Sequence, residues 1–199
     1  LEERSSQRWA EGLYARAKAG FEMFWDEARG SYIDHIVDGA PQPEMSQLAG
    51  ALAICAGLAP EARWPRIIAR ITDPARVVVR SWTGGDGEYA EQKMQKQFMG
   101  IYETDWDAHE EVVSAEPFMS YTVHDAVVLA GLADRLPDLY PRWLEFLVDG
   151  YDTIGECWGW GTHVHGWSCT PARDLIFYTL GVTPAEPGDA AARIAPRLG

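Results

Sequence analysis

Apolar side chains recur along the first part of the chain at the three- and four-residue steps that are typical of an amphipathic helix. Residues 5–27 carry this pattern, and the segment "DEARG" ends it. We therefore predict one long opening helix whose apolar face is formed by Trp9, Leu13, Ala17, Phe21 and Phe24.

Two further helices are predicted before residue 72. Ser46 or Pro43 opens the first, which runs through "QLAGALAICAGL" and stops before Pro60. The second is "PEARWPRIIARI", beginning at Pro60. The segment "SYIDHIVDG" alternates apolar and polar residues, which indicates a short hairpin or an extended segment between Gly30 and Gly39.

Helical patterns return after residue 116. "PFMSYTVHDAVVLAGLADRL" has Pro117 near its start, and "DLYPRWLEFLVDGY" follows it. "TPARDLIFYTLG" places Pro171 in its first turn and Gly181 just past its end. The chain thus shows about six helices joined by short loops, which favours an all-α fold made of a bundle or a ring of helical hairpins.

Two segments break this rhythm. Residues 72–116 combine a strand-like start, a Gly-rich turn and a cluster of acids, and loops of this length are usually functional. The tail "VTPAEPGDAAARIAPRLG" is rich in Pro and Gly and becomes extended around "ARIAP".

Composition excludes several classes of partner. The net charge of −13 over 199 residues argues against nucleic acid and anionic membranes, which need a basic surface. No apolar run approaches the roughly 18 residues of a membrane span. The start at Leu1 lacks a Met and an apolar signal region, so we expect a processed, trimmed or split chain. Localisation stays open, with the cytoplasm slightly favoured over secretion.

The chemistry is concentrated in "ECWGWGTHVHGWSCTP", residues 156–171. Its Cys and His residues are of types that bind metals. Their spacing, however, matches none of the closely spaced ligand pairs, such as C-x2-C or H-x3-H, that are typical of tetrahedral zinc sites. A nucleophilic thiol at Cys157 lacks an orienting base, and Ser168 lacks the G-x-S-x-G elbow. Cys157 and Cys169 are the only candidates for a disulfide pair, because Cys55 lies in an apolar helix and is expected to be buried.

A carbohydrate site fits this inventory better. Glu156 stands among the indoles of Trp158, Trp160 and Trp167, and such a wall would suit a carboxylate for acid–base work. His165 adds a group that can hold a hydroxyl. Nine Trp in the chain point weakly the same way, because aromatic faces stack on sugars.

The segments "EPFMSYTVHDAV", "DTIGECW", "HGWSCTPARDLIFYTLGV" and "ARIAPRLG" resemble, in order and spacing, the end of the catalytic domain of bacterial α-L-rhamnosidases, glycoside hydrolase family 78. The earlier "FWDEARGSYIDHIVDGAPQPEMSQLAGALAICAGL" resembles that family's preceding hairpins. The likeness covers most of the chain except about residues 72–115, which look like an insertion.

The resemblance implies an (α/α)6 barrel of six helical hairpins and inverting hydrolysis of terminal α-L-rhamnosyl linkages. Glu156 matches the general base, and His165 matches a histidine that bonds the sugar. Trp158 and Trp167 are looser matches to the aromatic wall, and Trp160 is a further candidate for substrate binding. The implied substrate is a rhamnosylated small molecule or oligosaccharide, and neither a cofactor nor a metal is expected.

Inverting chemistry needs a second carboxyl group roughly 6.5–9.5 Å from the first, and in the family this general acid lies in the earlier half of the barrel. We therefore expect residues 1–183 to be the C-terminal half of a catalytic domain, with the 72–115 insertion in it. Residues 184–199 would begin a linker or a C-terminal β segment. Activity would require the N-terminal half, as another chain or a removed segment.

Two alternatives remain open: a helical-barrel glycosidase of other sugar specificity, and a non-catalytic carbohydrate-binding or scaffold protein. Glu116 is interpreted as an acid that offsets the dipole of the helix it precedes. The acids of the insertion are interpreted as a solvated face: Asp86, Glu88, Asp105, Asp107, Glu110 and Glu111. Alternatively the insertion overhangs the pocket and selects the aglycone through Trp82, Tyr89 and Trp106.

Overall fold

The computed structural model describes residues 4–79, 99, 106–147, 150, 152–158 and 162–196. These residues form a mostly helical fold with a few very short strands, as the sequence predicts. Much of the expected 72–115 insertion lies outside the described ranges, including Trp82, Tyr89, Asp86, Glu88 and Asp105.

The opening helix α1, Arg4–Phe21, is shorter than predicted. A 3-10 turn, Glu22–Phe24, follows it, and β1, Trp25–Asp26, then pairs antiparallel with β2, Ser31–Tyr32. The helix ends early because Trp25 and Tyr32 pack their rings in the hairpin, 5.1 Å apart, instead of continuing the helical face.

A second hairpin joins β3, Ile36–Val37, to β4, Ala40–Pro41. Its two-residue loop is Asp38-Gly39, and both residues have positive φ, 50° and 80°. This is the backbone that a type I′ turn requires, and Asp-Gly is a favoured sequence for it. The predicted extended segment therefore contains β2, β3 and the turn, and β4 begins just after its end at Gly39.

Helix α2, Gln47–Cys55, begins at Ser46, whose side chain accepts a hydrogen bond from the Ala49 amide. A 3-10 turn, Glu61–Arg63, leads into α3, Trp64–Ile71. Both helices thus start close to their predicted positions. Cys55 was expected to be buried, but it is exposed. The reason is that Ala51 and Ile54 form the face of α2 that packs into the core.

The ends of the insertion come together. Strand β5, Val77–Val78, pairs in parallel with β6, Val112–Val113. Val113 also bridges to Ser46 at the start of α2. The segments that flank residues 80–105 are therefore anchored to the helical body.

The long helix predicted after Pro117 is broken. A 3-10 turn, Pro117–Met119, precedes α4, Ser120–Leu129, and Gly131 with φ 77° ends the helical run. A 3-10 turn, Ala133–Arg135, then leads to α5, Leu136–Leu139, and the 3-10 segment Tyr140–Leu147. Gly131 allows this reversal because glycine adopts positive φ without steric cost.

The last helix, α6, Thr170–Asp174, continues as a π-helix, Leu175–Thr179. It has Pro171 in its first turn and ends before Gly181 as predicted. Strands β7, Val182–Pro184, and β8, Ala192–Ile194, close the described chain as an antiparallel pair.

The core lies where α2 packs against α3 and α4. Its fully buried side chains include Tyr32, Ile54, Ile67, Ile71 and Val127. Helix α1, by contrast, contributes no buried residue. None of the helices in the described ranges is both long and apolar enough to cross a membrane.

Candidate functional site

The loops that precede α2, α4 and α6 meet at one end of the helices. The Gln47 side-chain oxygen, at the start of α2, accepts a hydrogen bond from the Ala115 amide at 2.8 Å. The Glu116 carboxylate, just before α4, accepts one from the Trp158 amide at 3.0 Å. The segment that carries the candidate chemistry is therefore fixed to the loop before α4, which is fixed in turn to α2.

Two extended stretches present the candidate residues. The Glu156 amide donates to the Thr162 carbonyl at 3.0 Å, and the His165 amide donates to the Ile154 carbonyl at 2.9 Å. Residues 154–156 thus run antiparallel to residues 162–165. The backbone brings Glu156 and His165 onto paired stretches of one loop, although nine positions separate them in the sequence.

The Glu156 carboxylate is half-buried, and its Oε2 accepts a hydrogen bond from the Thr162 hydroxyl at 3.2 Å. This bond crosses the same pair of stretches and limits the rotamers of the side chain. A carboxylate held in this way and still open to solvent can accept a proton from water.

The His165 ring is held on three sides. Its Nδ1 lies 3.1 Å from the Ser168 hydroxyl. The rings of Phe118 and Trp167 meet it edge-on, with centroids 5.7 and 6.1 Å away. The imidazole therefore has one nitrogen engaged by the protein, which leaves Nε2 as the atom that can meet a ligand.

Trp158 lies in the core rather than on a sugar-facing surface. It is 3 % exposed, its Nε1 donates to the Ala115 carbonyl at 2.7 Å, and its ring stacks on Phe146 at 5.4 Å. The Arg142 guanidinium covers its ring at 4.0 Å. Trp158 therefore packs behind the loop and supports it from the core side. The sequence had predicted instead that its ring would face a sugar.

Trp167 is the aromatic that reaches solvent, with 79 % of its surface exposed. It lines a cavity of about 340 Å³ together with Phe118, Met119 and Tyr121. Trp160, the remaining predicted aromatic, lies outside the described residues.

Cys157 does not supply a reactive thiolate to this loop. Burial raises the pKa of the Cys157 thiol to about 11, and the Glu116 and Glu156 carboxylates act in the same direction. The thiolate that nucleophilic chemistry needs is therefore scarce at neutral pH. Cys157 and Cys169 are both free thiols. Among the residues that the structure covers, no group of three or more His, Cys, Asp and Glu side chains could hold a metal ion.

The Glu116 carboxylate makes no side-chain cap on the turn that it precedes, and it binds the Trp158 amide instead. The dipole interpretation does not include this contact, which joins two loops. The acids of the insertion that lie in the described ranges also make local contacts: Asp107 accepts from the amides of His109 and Glu110, and Glu110 pairs with Arg76. Trp106 is half-buried.

The sequence interpretation did not single out two residues that shape the site. Ser168 was considered only as a nucleophile, and it is a fully buried neighbour of His165. Phe118 packs edge-on against the His165 ring and also lines the cavity. Phe118 could have been selected from the sequence, because it follows Pro117 at the predicted start of a helix. Side chains of the preceding loop converge at such a position.

Comparison with known proteins gives one solved structure to set beside this geometry. No protein-family model and no curated protein matches the chain. The match is the crystal structure of a GH78 family rhamnosidase of Bacillus sp. GL1, at 22% sequence identity and a TM-score of 0.59. The aligned parts of the two chains share a fold. The alignment covers 94% of this chain and 18% of the rhamnosidase, so the chain spans about a fifth of the length of that protein.

Proposed function

We propose that this chain is part of the catalytic domain of a glycoside hydrolase that removes terminal α-L-rhamnosyl groups from a small molecule or oligosaccharide. The observation that carries the proposal is the fold shared with a GH78 rhamnosidase over 94% of the chain. The loop with a half-buried carboxylate, a held histidine and an exposed Trp167 is consistent with it.

The proposed architecture is an (α/α)6 barrel of which this chain supplies about half. Helices α2, α4 and α6 would be inner helices, because α4 contacts both α2 and α6 and the loops before all three meet at one end. In this arrangement the insertion within residues 72–115 borders the site, and residues 184–199 begin a linker or C-terminal β segment.

The proposed partner is the N-terminal half of the same domain. Helix α1 leaves Trp9 and Leu13 exposed by 68 % and 41 %, and α6 with its π-helical extension leaves Ile176 and Leu180 exposed by 48 % and 52 %. Apolar side chains in such number on two helices are typical of a surface that another element covers. The remaining hairpins of the barrel would supply that cover.

The proposed reaction inverts the anomeric centre. Glu156 accepts a proton from a water molecule as the water oxygen attacks the anomeric carbon. The bond from that carbon to the glycosidic oxygen breaks on the opposite face of the sugar. A second carboxyl group, supplied by the other half of the barrel, protonates the leaving oxygen. The products are free rhamnose and the alcohol to which it was linked.

Other side chains of the loop would hold the sugar. His165 presents Nε2 to a hydroxyl, and Trp167 offers an exposed indole face for the apolar side of the ring. Trp158 acts as the support behind this loop, and Trp160 stays a candidate contact. The insertion, through Trp82, Tyr89 and Trp106, would influence which aglycone is accepted.

The test is release of p-nitrophenol from its α-L-rhamnoside by the complete protein that contains this chain. We expect Glu156→Gln to lower kcat by at least about 1000-fold while sugar binding persists, because the variant cannot accept a proton. Asp152→Asn, an exposed carboxylate of the same loop, is the matched control and should keep wild-type activity. Proton NMR of the first-formed sugar should show the inverted anomer.

Other results would redirect the proposal. Turnover of a different glycoside with the same dependence on Glu156 would change the sugar and keep the reaction. Sugar binding without turnover in the complete protein would indicate a carbohydrate-binding or scaffold protein. Full activity of Glu156→Gln would remove this residue from the mechanism.

A further inference from the structure

We propose that Ser168 is a positioning residue that fixes the orientation and the tautomer of His165. This inference rests on the proposed role of His165 in sugar binding. Its starting observation is geometric: the Ser168 hydroxyl is 3.1 Å from His165 Nδ1, and Ser168 is 0 % exposed.

The backbone of Ser168 is held by two hydrogen bonds. Its carbonyl accepts a hydrogen bond from the Trp143 indole at 2.6 Å, and its amide donates to the His165 carbonyl at 3.0 Å. Trp143 is 7 % exposed and packs edge-on against the rings of Trp158 and His124. The contact with Trp143 therefore anchors Ser168 to the aromatic core. The hydroxyl in turn restrains the position of the imidazole beside it.

Burial sets the direction of the hydrogen bond. A buried hydroxyl carries one proton that needs an acceptor, and leaving it without one costs free energy. In the described part of the chain the partner of this hydroxyl is His165 Nδ1, 3.1 Å away, so the hydroxyl donates to Nδ1. The imidazole proton then resides on Nε2.

The result is a histidine with a defined chemical role. Its Nε2–H donates a hydrogen bond, so it binds an oxygen atom of the substrate that accepts one, such as a sugar hydroxyl oxygen. The rings of Phe118 and Trp167 meet the imidazole edge-on and limit rotation about its side-chain bonds. Ser168 thus determines that His165 Nε2 is a hydrogen-bond donor. The two rings determine the direction in which Nε2 points.

The first test is NMR of the complete protein with 15N-labelled histidine, with the His165 signal identified by its loss in His165→Gln. We expect the wild type to show the Nε2–H tautomer, and Ser168→Ala to show a shifted Nδ1 signal with both tautomers present. Thr170→Val is the control, because it removes another buried hydroxyl, one that bonds the Pro117 carbonyl at 3.5 Å. It should leave the His165 signal unchanged. An Nδ1–H tautomer in the wild type would overturn the assignment without any variant.

The second test is a double-mutant cycle on the affinity for L-rhamnose. We expect Ser168→Ala to weaken binding by roughly tenfold in the wild type, and to have no effect in a His165→Ala background, because it acts through the imidazole. Equal losses in both backgrounds would mean that Ser168 acts on the fold alone, and the inference would then be wrong. If the wild type binds no rhamnose, the proposed function fails, and the NMR result still decides the tautomer.

Discussion

At the scale of single residues, one buried side chain explains how the loop with Glu156 keeps its shape. Trp158 joins its own loop to two other elements. Its amide and its indole N–H donate to Glu116 and to the Ala115 carbonyl in the loop before α4, and its ring contacts Arg142 and Phe146 in the 3-10 segment. Burial of the Arg142 guanidinium lowers its pKa, although the Glu145 and Glu116 carboxylates oppose that shift. The arginine therefore serves as a cover for the indole.

Replacing Trp158 by Phe should destabilise the protein, because the Ala115 carbonyl keeps only the Ser114 hydroxyl of its two side-chain donors and the smaller ring leaves a void. We expect a loss of about 2–4 kcal/mol in the free energy of unfolding. The matched control is Trp167→Phe, where the ring is exposed and the change should stay within about 0.5 kcal/mol. Urea denaturation of both variants measures the difference, and equal losses would contradict the buried role of Trp158.

The Asp26 carboxylate leads to a prediction about the stability of the fold at low pH. Burial alone would raise the pKa of this carboxyl, but hydrogen bonds from the Arg29 backbone and guanidinium outweigh it and hold the pKa below its ordinary value of 3.8. A lowered folded-state pKa stabilises the fold above pH 3.8, and this contribution is lost as pH falls through the folded value.

The variant Asp26→Asn should therefore be less stable by about 1 kcal/mol at neutral pH. The gap to the wild type should shrink as the pH falls below 3.8 and through the lowered folded-state pKa, because the wild-type carboxyl then becomes neutral as well. Thermal melts across this range give the comparison, with the exposed Asp134→Asn as control. A gap that stays constant with pH would show that the aspartate acts by shape and not by charge.

At the scale of elements, the helix starts were predictable and the breaks were not. Ser46 and Pro171 act within the first turn of their own helices, so local sequence is enough to place them. Gly131 lies in a pattern that continues helically on both sides, and its positive φ reflects the packing of the whole hairpin. The early end of α1 likewise depends on Trp25 meeting Tyr32, a contact that periodicity does not contain.

The contact between α2 and α3 gives a prediction at this scale. A Cβ at Gly50 would lie 2.9 Å from Ile71 Cγ2 and 3.0 Å from Ile67 Cγ2, and both isoleucines are fully buried. Gly50→Ala should therefore destabilise the protein by about 1–3 kcal/mol, although alanine is the better helix former.

Gly12→Ala is the control for that variant, because a methyl group at this position on α1 would meet no neighbouring side chain within 4 Å. Here helix propensity alone should act, and stability should rise by about 0.5–1 kcal/mol. Thermal melts of the two variants should thus shift in opposite directions. A rise for both would mean that α3 can move away from α2 at little cost.

At the scale of the whole molecule, the sequence could identify the loop of residues 156–171 as the candidate site but not its internal arrangement. Glu156 and His165 were selected by residue type and by resemblance, and their place on paired stretches needs the fold. Which tryptophan faces solvent could not be predicted, because Trp158 and Trp167 occur in similar local sequence and differ only in what packs behind them.

The apolar side of α1 tests the proposal that this chain is completed by another half. If the missing hairpins cover Trp9 and Leu13, Trp9→Glu with Leu13→Glu should weaken the association with the N-terminal half by roughly 100-fold, because charges would be buried without partners. Arg8→Glu, which adds negative charge at an exposed neighbouring position, should change the affinity by less than about threefold.

Size-exclusion chromatography and calorimetry of the two co-expressed halves give this affinity. Circular dichroism of the double variant should match the wild type, since α1 buries no residue against the described body. Association that survives both glutamates would place the other half elsewhere. The exposed Ile176 and Leu180 beyond the last turn of α6 would then be the next surface to substitute.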